Sequence, residues 1–225
     1  MTQVRPPHQE IEIKLRLPGE PSVRAIRAKL KKLGAKSTDR IFETNILFDH
    51  NAELRAEGKL LRIRLERKAL FHANEPSLTA ALRAAKRPLT RTLLTYKSPS
   101  NQAIDTGQAP LTTLKYKQRT EIEVTVAPGE NLQSIFEGIG FSAGFTYEKL
   151  RTTYRLKKLP GLEIELDETP IGTFLELEGS PKAIDQAAAL LGFHAADYLT
   201  ATYWDLHVAD CRGRRVEPGH MVFKP

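Results

Sequence analysis

Polar and hydrophobic residues alternate at every second position in many short segments of this chain. Residues 10–14 read Glu-Ile-Glu-Ile-Lys. Because successive side chains of a strand point to opposite faces, Glu10, Glu12 and Lys14 share one face and the isoleucines share the other. The alternation predicts a β-strand that packs on its apolar side and carries two acids and a base on its other side.

The pattern returns along the chain with the charges sorted by sign. Acids take the polar positions of three further segments, as Glu121 and Glu123, then Glu163, Glu165 and Asp167, then Glu176 and Glu178. Bases take those of other segments, as Arg62 and Arg64, Lys97, Arg119, Lys149 and Arg151. In an open sheet with one solvent-exposed face, polar and apolar residues also alternate. However, its exposed face usually mixes Lys, Thr, Ser and Gln. The sorted charges favour a closed barrel whose polar lumen brings acids and bases together.

The order of elements is the same in both halves of the chain, namely β, α, β, β, β. In the first half a helix opens at 21–22, with Val23, Ile26 and Leu30 at helical spacing and Gly34 at its end. The second half has its helix at 132–138. Two such halves supply eight strands, which is enough to close a barrel. We therefore predict a β-rich α+β fold, an eight-stranded antiparallel tunnel made of two βαβββ repeats with helices packed outside.

Other segments do not fit the repeat. We interpret 68–92 as an insertion between two strands that carries a short helix at 78–85 and forms a lid, and 99–117 as a second, loop-like insertion. A helix at 181–191 is expected to cover the barrel, and another is expected at 198–208.

These elements predict a single domain over 1–208. The remaining residues, 209–225, contain Arg212, Arg214 and Arg215 and are interpreted as a solvated basic tail.

Composition narrows the location and the partners. No apolar run approaches the roughly 20 residues of a membrane span, and the first nine residues have no apolar core, so we expect a cytoplasmic protein. The single cysteine, Cys211, excludes an internal disulfide and a cysteine-based metal cluster. Cys211 has no evident partner, and the histidines show no metal-ligand spacing.

The net charge of +7 attracts acidic ligands. Nucleic acid is a weaker candidate, because the bases alternate with acids on separate strands instead of forming one patch. Paired carboxylates are typical ligands of hard cations such as Mg²⁺ or Mn²⁺. Arginines bind phosphate oxygens in bidentate fashion. Together the two sets indicate a polyphosphate ligand.

The ordered set of charged strands resembles the CYTH superfamily, the triphosphate tunnel metalloenzymes. The resemblance rests on Glu-x-Glu-x-Lys at 10–14 and on the later charged pairs, and it runs from about residue 10 to about 204. It implies Mg²⁺ or Mn²⁺ ligands at Glu10, Glu12, Asp167, Glu176 and Glu178. It implies phosphate ligands at Arg62, Arg64, Lys97, Lys149 and Arg151, and catalytic residues at Lys14, Arg119, Glu121 and Glu123. It assigns no role to Glu163 or Glu165.

The resemblance implies two reactions. A triphosphatase would hydrolyse tripolyphosphate, thiamine triphosphate or a nucleoside triphosphate, and a class IV adenylyl cyclase would convert ATP to cyclic AMP and pyrophosphate. The charged residues serve both, so they leave both open, with hydrolysis favoured because no adenine pocket is evident. A non-catalytic anion binder is the third hypothesis, but it has no use for carboxylates that face its ligand. We expect a small-molecule triphosphate as partner, neither nucleic acid nor membrane, and a monomer or homodimer.

Overall fold

The structure is a computed structural model that describes residues 8–70, 77–100, 115–126 and 131–224. Its strands are β1 His8–Leu17, β2 Lys36–Ser37, β3 Arg40–Asp49, β4 Leu60–Ala69, β5 Arg91–Pro99, β6 Lys117–Thr125, β7 Ser142–Arg155, β8 Glu163–Thr169 and β9 Gly172–Glu178. Its α-helices are α1 Glu20–Lys32, α2 Glu53–Ala56, α3 Ser77–Ala84, α4 Leu132–Gly138, α5 Pro181–Leu191 and α6 Tyr203–Arg214, and a short 3-10 helix spans Ala195–Asp197.

Eight of the strands close into a barrel. Their order is β7-β3-β4-β5-β6-β1-β9-β8, and β8 pairs back to β7, so the sheet has no free edge between its first and last strands. All these pairings are antiparallel. The two-residue strand β2 pairs only with the end of β7. The predicted eight-stranded antiparallel barrel is confirmed.

The hydrophobic core lies outside the barrel, between its wall and the helices. The apolar positions of β1, β8 and β9, among them Ile13, Ile164 and Leu177, are fully buried against α1 and α5. The predicted helix α1 is confirmed, with Val23, Ile26 and Leu30 on its buried face. The predicted helix at 181–191 is also confirmed. It begins at Ser180, whose hydroxyl accepts a hydrogen bond from the Ala183 N–H.

The prediction of a lid at 68–92 is wrong for the part that the structure describes. Helix α3 packs Ala80, Ala81 and Ala84 onto the outer wall beside Phe42 and Leu150. No residue of α3 lines the lumen. Small side chains on one helical face allow close packing on a sheet, and the sequence pattern does not say which surface they meet. Residues 71–76, and 101–114 of the second insertion, lie outside the described residues.

The predicted helix at 198–208 is displaced. Leu199 is in extended backbone, where it exchanges backbone hydrogen bonds of 2.8 and 2.9 Å with Lys14. Helix α6 begins only after Thr202, whose side chain and that of Asp205 form a capping box. Because α6 ends at Arg214, it crosses the boundary drawn at 208.

The segment after α6 returns to the barrel. Met221 is buried and forms backbone hydrogen bonds with Thr146 and Glu148 of β7, along the part of that strand that β8 leaves unpaired. The predicted solvated tail therefore holds for the exposed arginines 212, 214 and 215 but not for Met221. The division into a domain and a tail stays a prediction. Among the described residues, no helix is long and apolar enough to cross a membrane.

Gly179, which lies between β1 and the residues that precede β8, gives a test of packing at the end of β9. It follows β9 with φ at 154°, and its amide donates to the Ile11 carbonyl. A Cβ there would lie 3.1 Å from the Gly161 carbonyl oxygen. Gly179→Ala should therefore lower the free energy of unfolding by about 1–3 kcal/mol in urea titrations.

Gly213→Ala is the matched control, because an added Cβ at this position meets no atom within 4 Å and the residue lies in α6. It should be neutral or stabilise the protein by up to about 1 kcal/mol through helix propensity. Equal destabilisation by both changes would contradict the packing described for Gly179.

Candidate functional site: a charged tunnel

The lumen of the barrel is a cavity of about 1140 Å³ lined by charged side chains from all eight barrel strands. The period of two places them there, since the same strands turn their apolar residues outward to the helices. All of the predicted site residues line this cavity except Asp167, which is fully buried in its wall. The structure therefore brings the predicted residues together around one cavity, while their assignment as site residues and their roles stay predictions.

The first cluster lies where β1, β5 and β6 meet. The Lys97 ammonium donates to Glu10 Oε1 at 2.5 Å and lies 2.8 Å from Glu121 Oε2. Arg119 Nη2 lies 3.3 Å from Glu10 Oε2 and 3.4 Å from Glu12 Oε1. The two glutamates of the opening motif are therefore held by bases from neighbouring strands.

The second cluster lies on β7, β8 and β9. Arg151 donates in bidentate fashion to Asp167, from Nε to Oδ1 at 2.7 Å and from Nη2 to Oδ2 at 2.5 Å, and it also contacts Glu176. The Lys149 ammonium donates to Asp167 Oδ2 at 2.8 Å. Asp167 is thus surrounded by cations from β7 and anchors them, whatever else it binds.

Lys14 joins the two clusters. Its ammonium lies 3.3 Å from Glu12 Oε1 and 3.2 Å from Glu176 Oε1. Burial by itself lowers the pKa of Lys14, but these two carboxylates outweigh burial and raise the pKa above its ordinary value. Lys14 therefore stays protonated at neutral pH.

The paired arginines of β4 form a third group. Arg62 donates to Thr95 Oγ1 at 3.1 Å and to the Tyr147 hydroxyl at 3.2 Å. The Thr95 hydroxyl in turn donates to Glu123 Oε2 at 2.9 Å. Arg64 Nε donates to Asn45 Oδ1 at 3.0 Å. These contacts fix both guanidinium groups with their planes in the lumen.

Two further lumenal residues, Glu43 and Lys117, were not predicted. Glu43 lies 3.3 Å from Arg64 Nε and 3.6 Å from Lys149 Nζ. Burial alone raises the pKa of Glu43, but the adjacent Arg64 and Lys149 outweigh it and hold the pKa below its ordinary value. Lys117 precedes Arg119 by two positions, and burial together with Lys14 lowers its pKa to about 8. Each shares a strand face with other lumenal residues at a period of two, Lys117 with Arg119 and Glu43 with Ile41, but polar and apolar residues do not alternate around them.

No sequence pattern indicated that Tyr203 belongs to the site. It comes from α6, and its hydroxyl donates to Asp167 Oδ2 at 2.7 Å. The ammonium groups of Lys14 and Lys149 lie 5.4 and 5.1 Å from its ring centroid. Only the folding of α6 over the barrel brings this ring to the charged cluster.

The two acids without an assigned role differ in position. Glu165 is buried and lies 2.5 Å from Arg151 Nη1, so it is a further carboxylate holding that arginine. Glu163 lies at the rim of the tunnel and pairs with the exposed Arg155.

Two features in and beside the first cluster fit a divalent cation. Glu10 Oε2 is buried and accepts no hydrogen bond, and the side chain of Glu178 on β9 forms neither a hydrogen bond nor an ion pair with any described residue. Burial and the nearby Glu10 and Glu12 carboxylates raise the pKa of Glu178 to about 8. Facing carboxylates with unused oxygens are the donor set that Mg²⁺ and Mn²⁺ prefer.

Within the described residues, no three lumenal carboxylates place their oxygens within 4.8 Å of one another. A group outside the lumen does have this geometry: one ligand atom from each of His207, Asp210 and Cys211 on α6 lies within that distance of the others. This second group corrects two sequence interpretations. Cys211 does have a partner, since its sulfur lies 3.6 and 3.8 Å from the ring nitrogens of His207. The spacing of His207, Asp210 and Cys211 on one helix is also compatible with a metal, although Arg214 donates to Asp210 at 2.8 Å and supplies a cation there.

A closed barrel whose lumen pairs bases with carboxylates defines a tunnel-shaped domain suited to bind anions. The family model of the CYTH domain matches residues 8–194, and the chain therefore belongs to the CYTH domain family. Members of this family act on triphosphates as adenylyl cyclases or triphosphatases.

A protein of Methanocaldococcus jannaschii named "Putative adenylate cyclase MJ0240" is 28% identical over 184 residues, which cover 81% of this chain and 83% of that protein. The structure of PH1819 from Pyrococcus horikoshii has a TM-score of 0.63 at 22% identity and covers 89% of this chain and 98% of the other. That of HpAC1 from Hippeastrum, described as a "putative adenylyl cyclase" with dominant triphosphatase activity, has a TM-score of 0.56 at 20% identity over 93% and 98%. The two structures share the fold.

The raised pKa of Glu178 predicts a pH-dependent stability. Between pH 4.5, the ordinary value, and about pH 8, the folded protein keeps a proton that the unfolded chain has lost. The free energy of unfolding contributed by this residue therefore falls as pH rises through that range. Glu178→Gln has no carboxyl to ionise, so in EDTA its Tm should exceed that of the parent by an amount that grows from pH 5 to 8.

Glu217→Gln is the control, because Glu217 is exposed and the change removes the same charge. Its Tm difference should stay small and nearly constant with pH. A Tm difference for Glu178→Gln that is flat across pH 5–8 would show that the Glu178 carboxyl is already ionised in the folded protein.

Proposed function

We propose that this protein is a divalent-metal-dependent triphosphatase that hydrolyses the terminal phosphate of a small-molecule triphosphate bound in its lumen. One observation carries the proposal. Inside the lumen of one closed barrel, bases from five strands lie beside carboxylates that have unused oxygens. The bases suit phosphate oxygens, and the carboxylates suit a metal. The basic side chains face inward, so they favour a small ligand over a nucleic acid.

The phosphate chain would be held by Arg62, Arg64, Lys97, Lys149 and Arg151. Each of them already contacts a carboxylate or a neutral oxygen in the lumen. A phosphate oxygen can bind such a base without further desolvation of the base itself, because the base is already out of water. The ion pairs therefore orient the bases before the ligand arrives, which favours binding in one pose.

Glu10, Glu12 and Glu178, with Glu176 and Asp167, are the residues that would hold Mg²⁺ or Mn²⁺. When bound, the metal offsets phosphate charge and lowers the pKa of a bound water. Among the protein's own groups, Glu121 keeps Lys97 in place and Glu123 holds Arg62 through Thr95. Lys14 and Arg119 carry fixed positive charge beside Glu12, where they stabilise negative charge on a transferring phosphoryl group.

The second candidate is an adenylyl cyclase, which the name of the Methanocaldococcus relative favours. It would use the same phosphate and metal residues, with a ribose hydroxyl in place of water as the nucleophile. The products distinguish the two reactions. Chromatography of an ATP reaction should show ADP and phosphate for the proposed hydrolase, and cyclic AMP and pyrophosphate for a cyclase.

Glu12→Gln tests the site. Glu12 contacts Lys14, Lys117 and Arg119, and the substitution keeps its shape but removes the charge that those bases and a metal need. The rate of phosphate release from tripolyphosphate or ATP with Mg²⁺ or Mn²⁺ should fall on the order of 100-fold, the scale of lost metal-site groups.

Glu163→Gln is the matched control, because Glu163 lies on the same kind of strand face but at the solvent-exposed rim. It should keep at least half of the activity. The proposed function fails if the parent protein releases no phosphate from any triphosphate with either metal, and the site assignment fails if Glu12→Gln is fully active.

A further inference from the structure

The two ends of the tunnel differ in chemistry. One end is polar and is lined by Thr38, Asp39, Thr90, Arg91 and Arg155. The other end, where β3 finishes and α6 begins, is lined by Leu47, Leu60, Phe145 and Trp204, which we call the aromatic mouth. Leu47 and Phe145 are cross-strand neighbours, and Trp204 packs against Phe145. Polar side chains such as Asp49, Lys59 and Asp205 also line this end, so the aromatic mouth is an apolar patch within it. A ligand that only carried charge would have no use for this apolar patch.

The aromatic mouth continues directly from the phosphate-binding bases. Leu60 lies two positions before Arg62 on β4, on the same strand face, and its Cα is paired with that of Lys97. Leu47 is paired with Arg62 itself. A triphosphate held by Arg62 and Lys97 therefore has its nearest apolar surroundings at this mouth.

Trp204 presents a flat surface at the mouth. The rings of Trp204 and Phe145 form a T-shaped pair with a centroid distance of 4.8 Å and an interplanar angle of 73°, which holds the indole in one orientation. The guanidinium of Arg55, on the one-turn helix α2, lies 4.9 Å from the indole centroid. Arg55 is exposed, and such a contact is weak in water, so a planar group can displace the guanidinium from the indole.

The size of the cavity agrees with an organic ligand. Sites for drug-sized molecules usually occupy roughly 300–1,000 Å³, and this cavity measures about 1140 Å³. A phosphate chain in the charged centre leaves space toward the aromatic mouth. An inorganic triphosphate would leave the mouth filled only with water.

We propose that Trp204, covered by Arg55, is a stacking site for a planar aromatic group, and that the substrate class is therefore an organic triphosphate with a heteroaromatic ring, such as a nucleoside triphosphate. This inference rests on the proposed triphosphatase function. It adds a specificity-determining residue on α6, outside the set of charged strands.

The first test uses binding and needs no turnover. Trp204 is the single tryptophan of the chain, so its fluorescence reports on the mouth alone. ATP added to the parent protein in EDTA, with binding measured separately by calorimetry, should quench the emission at saturation and protect the indole from acrylamide. Tripolyphosphate, which has no ring, should bind and leave the emission nearly unchanged. Equal effects of the two ligands, or no effect of bound ATP, would overturn the stacking site.

The second test compares substrates. Trp204→Ala should raise KM for ATP by roughly 5- to 100-fold, the scale of a lost base–aromatic stack, and should change KM for tripolyphosphate less than twofold. Trp204→Phe should keep most of the affinity for ATP. Arg55→Gln removes the cation that the ring of ATP would displace from the indole, so it should leave KM for ATP unchanged or lower it, and it should change KM for tripolyphosphate less than twofold.

The outcomes separate the two proposals. Activity on tripolyphosphate serves as an internal control that Trp204→Ala is folded. Parallel losses on both substrates for Trp204→Phe and Arg55→Gln would overturn the stacking site and leave the triphosphatase standing. Absence of phosphate release by the parent, with Trp204 still quenched by ATP, would overturn the triphosphatase and leave the stacking site standing.

Discussion

The structure depends on the mutual compensation of charges buried in the barrel lumen. An isolated buried charge costs far more free energy than a domain of this size can spare, and Lys149 and Asp167 are almost or fully inaccessible to water. Each is tolerated because an opposite charge from the next strand lies within hydrogen-bond distance. The acids and bases therefore have to be matched around the whole barrel, and removal of one partner leaves the other exposed to the full cost.

The same constraint prepares the lumen for an anionic ligand. The lumenal carboxylates hold the bases apart and oriented, so the phosphate chain of the proposed substrate would meet fixed donors that are already desolvated. Two sites in the lumen stay incompletely compensated: the Glu178 carboxyl has no basic partner among the described residues, and Glu10 Oε2 accepts no hydrogen bond although Arg119 lies 3.3 Å away. The apolar outer wall, buried under α1 and α5, keeps the strands closed around these buried charges.

Much of this arrangement was predictable, because the period of a strand decides which residues share a face. Glu10 with Glu12 and Arg62 with Arg64 were assigned to the lumen on this ground alone. Glu43 and Lys117 share lumenal strand faces at the same period but were not predicted, because polar and apolar residues do not alternate around them. The lid and the helix at 198–208 were predicted wrongly, because the docking surface of α3 and the bridge from Leu199 to Lys14 depend on contacts between distant segments.

The sequence by itself determined the strands, their two chemically different faces and the presence of both charge signs, since these are local properties of alternation and composition. The tertiary structure alone decided the partners. Lys97 meets Glu10 across 87 positions because β5, β6 and β1 are neighbours in the closed sheet. It also brought Tyr203 to the lumen and Trp204 to its mouth. Those positions follow from how α6 closes over the barrel, and no local pattern encodes the distance between a helix and a strand far apart in the chain.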